Sequence, residues 1–261
     1  MDKRKVAIAL RSKQGKALLG DFMLEDMHDY RVDRHTFTIY LGGDPSHWDS
    51  EKEMEYGEPG VEYKMADRFE INLDLLSGID PNRPILVNMA SCGGYWDDGM
   101  KIFSAILTCP NPVTVLATKW ARSMTSLIPL AADRFLIRPP AQYMFHLGEY
   151  AFNGLAQQFQ TDYRELEKSS EMMLRIYTAR LQEQGAYKKW SVPRIRNLLT
   201  RNIRNHIDVW LPADEAARWG FADAVFDGDN ENLRAPKINL SRRERMLEVL
   251  RRPIKVMVRV S

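Results

Sequence analysis

Cysteine is scarce in this sequence: Cys92 and Cys109 are the only two among 261 residues. Their spacing matches neither a metal-binding pair nor the framework of a disulfide-rich domain. We therefore expect no structural metal, and thiols that stay reduced, as is usual in a cytoplasmic protein. No pattern in the sequence indicates a bound cofactor.

Long apolar runs and a strong net charge are also missing. A membrane-spanning helix needs about 20 predominantly apolar residues, and no segment approaches that length. The apolar run after the basic start, VAIAL (6–10), is too short for a secretion signal. A net charge of +2 gives no reason to expect nucleic acid as a partner. With 44% hydrophobic residues, the chain is instead typical of a globular cytoplasmic protein with one sizeable domain.

The first third of the chain contains one strand and one helix signal. FTIYLGG (37–43) alternates strand-forming residues and stops at two glycines, which predicts a strand. Residues 44–64 hold seven acidic side chains and two lysines, which favours a solvated insertion. The segment 65–78 predicts a helix with Gly78 as its C-cap and one apolar face formed by Phe69, Leu73 and Leu76.

The middle of the chain alternates strands and helices. The segments 84–91 and 112–118 are short and almost wholly apolar, which indicates strands covered on both faces. A helix near 97–107 separates them, and the segments 134–137 and 142–146 predict two further strands. This alternation predicts an α/β core with right-handed crossovers.

A long helix is predicted over 155–184, where six apolar residues fall on one stripe: Phe159, Tyr163, Leu166, Met173, Tyr177 and Leu181. It is either an ordinary core helix or a projecting helix whose stripe needs a partner surface. Further helices are predicted over 191–203 and 211–220, the second with Gly220 as its C-cap and followed by a strand. The tail from Ser241 predicts a solvated basic helix with a β-like end.

Ser123 lies where an apolar strand runs into a helix, and the ordinary role of a serine at such a junction is to cap the helix. A nucleophilic serine would need a base, a group to orient that base, and donors for the oxyanion. The G-x-S-x-G elbow of α/β-hydrolases is excluded, because Ala121 and Thr125 stand where that turn needs glycine.

Three other features could complete such a site, and each is weak alone. His146 closes a predicted strand, although a histidine there is more commonly part of the core. Asp208 precedes an apolar pair and could orient an imidazole, or simply flank a helix. Gly93 and Gly94 follow a buried strand, where they could form a plain tight turn or expose N–H groups to an oxyanion.

In their order along the chain, these features resemble the Clp protease proteolytic subunit family of serine peptidases. That family has an S-P-G-G turn, a nucleophile in A-S-M, a histidine in M-I-H, an acid in D-R-F-L-S-A-P-E-A and a following G-L-V-D. The matching segments here are SCGG (91–94), RSM (122–124), MFH (144–146), DVWLPADEA (208–216) and GFADAV (220–225). The resemblance extends over roughly residues 37–42 and 65–227.

The resemblance implies a fold and a set of site residues. The fold is α/β, a ClpP/crotonase-like spiral of strand–strand–helix units with a projecting handle helix, here about 155–184. The implied triad is Ser123, His146 and Asp208, with the N–H groups of Gly94 and Met124 as the oxyanion hole. The implied domains are an N-terminal segment of uncertain fold (1–36), the peptidase domain (37–228) with its acidic insertion (43–64), and a basic C-terminal extension (229–261).

The implied function is a serine endopeptidase that cuts peptides or unfolded proteins inside a self-compartmentalising homo-oligomer of stacked heptameric rings. The N-terminal segment lacks the pattern that forms the family's axial loops, which argues against docking of an ATP-driven unfoldase. Large residues replace small ones beside the serine, namely Lys119, Trp120, Arg122 and Thr125, and Cys92 replaces the proline. Pro129 is expected to kink the helix after Ser123.

Three alternatives remain open at this point. A catalytically silent ring subunit is compatible with the changed residues around Ser123. A crotonase-type acyl-CoA enzyme shares the architecture and a glycine-built oxyanion hole, although those enzymes normally use carboxylates. A Ser–Lys peptidase could use Lys119 as its base, since desolvation can lower the pKa of a lysine.

Overall fold

In a computed structural model of the chain, residues 26–42 and 60–254, together with residue 23, are described. Most of the predicted acidic insertion and the predicted β-like end of the tail lie outside the described residues.

Within the described residues, eight strands form one mixed sheet. They are β1 (Val32–Asp33), β2 (Thr38–Gly42), β3 (Ile85–Ser91), β4 (Val113–Arg122), β5 (Arg134–Ile137), β6 (Gln142–Phe145), β7 (Val209–Pro212) and β8 (Ala224–Val225). The helices are α1 (Tyr63–Ile79), α2 (Trp96–Thr108), α3 (Met124–Leu127), α4 (Ala156–Glu183), α5 (Val192–His206), α6 (Ala213–Trp219) and α7 (Leu240–Arg251), and a 3₁₀ turn follows α3 (Ile128–Ala131).

The centre of the sheet is parallel, in the order β2-β3-β4-β5-β8. β1 pairs antiparallel with β2 at one edge, and β7 pairs antiparallel with β6. Helices connect the parallel strands, as the alternating pattern predicts. The predicted α/β fold is therefore confirmed, with a mixed and mostly parallel sheet.

β4 is longer than predicted and changes partners along its length. Residues 114–117 pair with β5, whereas residues 120–122 pair with β6. Opposite β3, the register jumps from Met89↔Ala117 to Ser91↔Ala121, so β4 carries extra residues between these two pairs. Such a bulge bends a strand and re-aims its end. The end of β4 therefore leaves β5 and lies beside β6.

The predicted apolar face of α1 is confirmed, because Phe69, Leu73 and Leu76 are buried. The prediction that Gly78 caps the helix is wrong. The backbone N–H of Asp80 donates to the carbonyl of Leu76, so helical hydrogen bonding continues past Gly78. At the other end, the Glu62 carboxylate accepts hydrogen bonds from the first backbone N–H groups of the helix.

The predicted long helix is present as α4, and its two halves differ in burial. In the C-terminal half, Met173, Tyr177 and Leu181 are buried in the core of their own chain. In the N-terminal half, Phe159 and Tyr163 are 44% and 48% exposed. The 28-residue helix is about 42 Å long at 1.5 Å per residue. Neither α4 nor any other helix in the described part of the chain is both long and apolar enough to cross a lipid bilayer.

The predictions after α5 are only partly correct. The segment predicted as one helix from residue 211 begins with the last two residues of strand β7, because β7 completes its backbone hydrogen bonds on β6. Gly220 is confirmed as the C-cap of α6, with a φ of 106° that favours glycine. Pro129 lies in the 3₁₀ turn, where the α-helical geometry of α3 has ended.

The predicted C-terminal helix is present as α7, but the prediction that it is simply solvated is wrong. Arg242 and Arg243 are both buried against the core. The guanidinium of Arg242 donates to Asp223 and Glu183, and that of Arg243 donates to the fully buried carboxylate of Asp133. These ion pairs attach α7 to the sheet and to α4.

Asp223 is the centre of this charged cluster. Its carboxylate also accepts from Arg180, whose side chain is completely buried in α4. Burial alone would raise the pKa of Asp223, but the guanidinium groups of Arg180 and Arg242 outweigh it and hold the pKa well below its usual value. The folded state therefore favours the ionised carboxylate.

Acidification should weaken the fold through Asp223. The unfolded carboxyl takes up a proton near a pKa of about 3.9, whereas the folded one resists protonation. The free energy of unfolding should therefore fall as the pH drops below about 5. Asp223→Asn should lower the stability at pH 7 by about 3–5 kcal/mol, because it leaves two buried guanidinium groups short of negative charge.

Urea unfolding followed by circular dichroism at pH 7, 5 and 4 measures both effects. Asp223→Asn should also show a weaker loss of stability with acid. Glu231→Gln, at an exposed position, is the control and should keep the wild-type profile. An unchanged stability of Asp223→Asn at pH 7 would contradict this account.

Candidate active site

Ser123 stands between the end of β4 and the start of α3, as predicted. It occupies the N-cap position of α3, but its side chain makes no capping hydrogen bond. Its backbone has a φ of 49° and a ψ of −124°, a conformation that non-glycine residues rarely adopt. Such a conformation costs about 1–3 kcal/mol and persists only where the surrounding structure enforces it. The side chain of Ser123 therefore does not cap the helix.

Strand pairing brings Ser123 and His146 together. Arg122 of β4 lies beside Met144 of the parallel strand β6, and the Ser123 N–H donates to the Met144 carbonyl at 3.0 Å. Because parallel strands end at the same edge of a sheet, the residues that follow β4 and β6 are neighbours. His146 is the first residue after β6.

Strand pairing also brings His146 and Asp208 together. Phe145 of β6 pairs with Val209 of the antiparallel strand β7. Since the strands run antiparallel, the residue after Phe145, His146, and the residue before Val209, Asp208, lie at the same end of this ladder. A tight turn precedes Asp208, since Ile207 has a φ of 59° and the Asp208 N–H donates to the His206 carbonyl at 2.7 Å.

The three side chains form a continuous hydrogen-bonded series. His146 Nε2 lies 2.7 Å from Ser123 Oγ, and His146 Nδ1 lies 3.0 Å from Asp208 Oδ1. Because a carboxylate can only accept, the Nδ1–H donates to Asp208, and the Nε2 of the neutral ring accepts from the Ser123 hydroxyl. The imidazole side chain is 11% exposed and that of Asp208 is 38% exposed. This geometry allows the imidazole to take the serine proton.

The two glycines after β3 allow a close approach of the backbone to Ser123. A Cβ atom at Gly93 would lie 2.5 Å from Ser123 Cβ, and one at Gly94 would lie 2.2 Å from the Val61 carbonyl oxygen. Both glycines have positive φ values, 115° and 144°. Val61 runs alongside them, its N–H donating to the Gly93 carbonyl at 2.5 Å and its carbonyl accepting from the Tyr95 N–H at 2.9 Å. Glycine is therefore required here by contact as well as by backbone conformation.

Two backbone donors are left open at this point. Among the described residues, no acceptor receives a hydrogen bond from the N–H of Gly94 or of Met124. Met124 is the first residue of α3, and Gly94 follows the glycine that contacts Ser123. Unpaired N–H groups beside a serine hydroxyl are what stabilisation of an oxyanion requires.

The position of Met124 depends on Gly99, which is not among the site residues predicted from the sequence. A Cβ atom at Gly99, inside α2, would lie 2.0 Å from Met124 Cγ. A glycine in the middle of a helix is destabilising, so its presence is a signal of close packing. Gly99 therefore allows the turn at Ser123 to lie against α2.

Thr125 holds the turn at Ser123 from its buried side. Its buried hydroxyl accepts from the Arg122 N–H at 3.0 Å and lies 2.8 Å from the Ser91 carbonyl, to which it can donate. It thus connects the ends of β3 and β4. No signal in the sequence alone identifies this contact, because it depends on the register of the two strands.

The large residues before Ser123 stack beside the site. The Arg122 guanidinium lies between the rings of Trp120 and Trp210, 4.1 Å and 4.4 Å from their centroids. It also donates to the Gln142 side chain at 2.7 Å. The Lys119 ammonium lies over Trp120, 3.9 Å from the ring centroid. The group hydrogen-bonded to Ser123 Oγ is the His146 imidazole.

Comparison with known proteins places this site in context. Residues 49–229 match the Clp protease family. The chain is 30% identical over 156 residues to the ATP-dependent Clp protease proteolytic subunit 1 of Protochlamydia amoebophila, which covers 58% of this chain and 69% of that protein. It is 25% identical over 174 residues to the ATP-dependent Clp protease proteolytic subunit of Deinococcus radiodurans, covering 66% and 79%. It is 26% identical over 180 residues to subunit 1 of Chlamydia pneumoniae, covering 67% and 87%.

Gly93→Ala should destabilise the protein by disturbing the turn at Ser123. The new Cβ would meet Ser123 in a backbone conformation that alanine rarely adopts, which should cost about 1–3 kcal/mol or more. The matched control is Gly78→Ala in α1, where a Cβ would have nothing within 4 Å. That change should be neutral or stabilise by about 0.5–1 kcal/mol. Urea unfolding of both variants measures the difference, and equal stabilities would contradict the close approach at Gly93.

Proposed function

Because the chain belongs to the Clp protease family, we propose that it is a serine peptidase in which Ser123 attacks the carbonyl carbon of a peptide bond. The observation that carries this proposal is the hydrogen-bonded series from Asp208 through His146 to Ser123. Each member has the partner that acyl transfer requires of it.

In this mechanism, His146 Nε2 takes the hydroxyl proton as Ser123 Oγ bonds to the substrate carbon. The imidazolium then gives that proton to the leaving amine, and the acyl group stays on Ser123. A water molecule, deprotonated by His146, hydrolyses the ester and restores the serine. Asp208 keeps the ring in the tautomer that can accept from serine, and it stabilises the imidazolium.

The carbonyl oxygen becomes negatively charged when Oγ adds to the substrate. We assign its stabilisation to the N–H groups of Gly94 and Met124. Their lack of acceptors among the described residues supports this role, because a preorganised donor needs no rearrangement when the charge appears.

We further propose that the chain works as a homo-oligomer, formed through the exposed half of α4. The aromatic rings of Phe152, Phe159 and Tyr163 contact one another there, and Phe159 and Tyr163 remain about half exposed. Rings of subunits, stacked on one another, would enclose the active sites and restrict the substrates to peptides and unfolded chains. The curated relatives are named as ATP-dependent enzymes. For this chain we expect short peptides to be cleaved without ATP.

Removing Ser123 or His146 should abolish hydrolysis. Ser123→Ala or His146→Ala should lower kcat for a fluorogenic peptide by about 10⁴-fold or more, since these groups act as one unit. Asp208→Asn should lower it somewhat less. A fluorophosphonate reagent should label the wild type at Ser123 and leave Ser123→Ala unlabelled, as read by peptide mass mapping.

Lys119→Met is the control that separates a Ser–His from a Ser–Lys mechanism, and it should keep labelling largely intact. Full hydrolysis by Ser123→Ala would overturn the assignment of the nucleophile. A folded wild type that takes no label between pH 6 and 9 would favour a silent ring subunit. Turnover of acyl-CoA that does not need Ser123 would favour a crotonase-type enzyme.

The exposed half of α4 should hold the oligomer together. Burying a large apolar side chain contributes about 1.5–3 kcal/mol. Replacing Phe159 and Tyr163 together by serine should therefore dissociate the assembly, as measured by light scattering at micromolar concentration. Thr161→Ala, on the opposite side of the same turn, should leave the mass unchanged. A folded wild type that is monomeric under these conditions would contradict the proposal.

A further inference from the structure

A chain of buried hydroxyl groups links α4 to the backbone of Ser123. The Tyr177 hydroxyl lies 2.7 Å from Ser126 Oγ, and Ser126 Oγ–H donates to the Ser123 carbonyl at 2.6 Å. Both Tyr177 and Ser126 are completely inaccessible to solvent. This series of hydroxyl groups is separate from the hydrogen-bonded series that joins Ser123 Oγ to His146.

The direction of each hydrogen bond between these hydroxyl groups follows from the number of hydroxyl protons available. The single proton of the Ser126 hydroxyl is used on the Ser123 carbonyl, so Tyr177 donates to Ser126 Oγ. Burial raises the pKa of Tyr177, which keeps its hydroxyl protonated and able to donate. Ser126 is held from its other side as well, because its carbonyl accepts from the Tyr143 hydroxyl at 2.9 Å.

The Ser123 carbonyl belongs to the same peptide group as the Met124 N–H. A peptide group is planar, and its C=O and N–H point in opposite directions when it is trans. Fixing the direction of the Ser123 carbonyl therefore fixes the direction of the Met124 N–H. The carbonyl also accepts from the Ser126 backbone N–H at 2.9 Å, so it receives two hydrogen bonds from one residue.

We propose that Ser126 and Tyr177 are positioning residues that hold the strained backbone of Ser123 and aim the Met124 N–H at the oxyanion. The inference rests on the proposed function, because it gives that N–H its use. Neither side chain touches the reacting atoms, since both are buried behind the turn. Because Tyr177 belongs to α4, the direction of the Met124 N–H depends on how the buried half of that helix is packed.

Kinetics of Ser126→Ala and Tyr177→Phe test this inference. Loss of an oxyanion donor lowers kcat by about 10²–10³-fold, and misdirecting one should cost roughly tenfold to a hundredfold. KM for a fluorogenic peptide should change little, because the effect is confined to the transition state. The double variant should be no slower than Ser126→Ala alone, since Tyr177 acts through Ser126.

Thr178→Val is the matched control. Thr178 is the buried neighbour of Tyr177 on α4, and its hydroxyl has no hydrogen-bond partner in the described part of the chain. Removing that hydroxyl should leave kcat and KM at their wild-type values. A loss as large as that of Tyr177→Phe would show a general packing effect and overturn the inference.

A second measurement does not depend on hydrolysis. In the variant Ser123→Cys, the rate at which iodoacetamide alkylates the introduced thiol at different pH values reports how well that thiol faces His146 and the donors around it. Peptide mass mapping distinguishes the introduced thiol from those of Cys92 and Cys109. Adding Ser126→Ala or Tyr177→Phe should shift this pH profile upwards, and adding Thr178→Val should not.

These readouts separate the two proposals. If the wild type neither hydrolyses peptides nor takes a fluorophosphonate, the proposed function fails, and the alkylation profile of the introduced thiol still decides whether the hydroxyl chain orients this turn. If the wild type is active while Ser126→Ala and Tyr177→Phe keep its kcat and the alkylation profile, the proposed function stands and the positioning inference is overturned. Tyr177→Phe removes a single oxygen atom and decides the matter if Ser126→Ala fails to fold.

Discussion

The pairing of the last three residues of β4 with β6 is the constraint on which the candidate site depends. Side chains alternate between the faces of a sheet, so a slip of one residue would turn each of them to the opposite face. The bulge opposite β3 is what carries β4 away from β5 and into this register. The ladder between β6 and β7 then sets His146 beside Asp208. Three side chains distant in sequence meet because β4 and β6 end, and β7 begins, at one place.

The sequence predicts the strands that precede Gly93, Ser123 and His146, because each of these strands is a short apolar segment. It does not predict contacts that depend on tertiary approach. Gly78 and Gly93 are the same residue type, yet only Gly93 has a backbone that lies against Ser123. Strand β7 is too short to give a pattern of its own and exists through its partner β6. The burial of Arg242 and Arg243 could not be foreseen either, because their partners Asp223 and Asp133 lie on remote elements.

Side chains next to Ser123 in the sequence hold its turn from two sides. Trp120 and Arg122 stack with Trp210 on one side of the turn at Ser123. Thr125 and Ser126 make hydrogen bonds on its buried side. Cation–aromatic contacts and buried hydroxyl bonds both restrict the backbone locally. The turn at Ser123 is thus held on two sides by side-chain contacts.

The ion pairs between α7 and the core have a consequence for the folding of the newly synthesised chain. Asp133, Glu183 and Asp223 precede their arginine partners in the chain by 110, 59 and 19 residues respectively. Until residues 242 and 243 have emerged from the ribosome, the nascent core carries these carboxylates without their full complement of countercharges, and burying them is unfavourable. The packing of the sheet against α4 is therefore complete only when α7 supplies these guanidinium groups, and a chain without α7 would bury the same carboxylates with fewer countercharges.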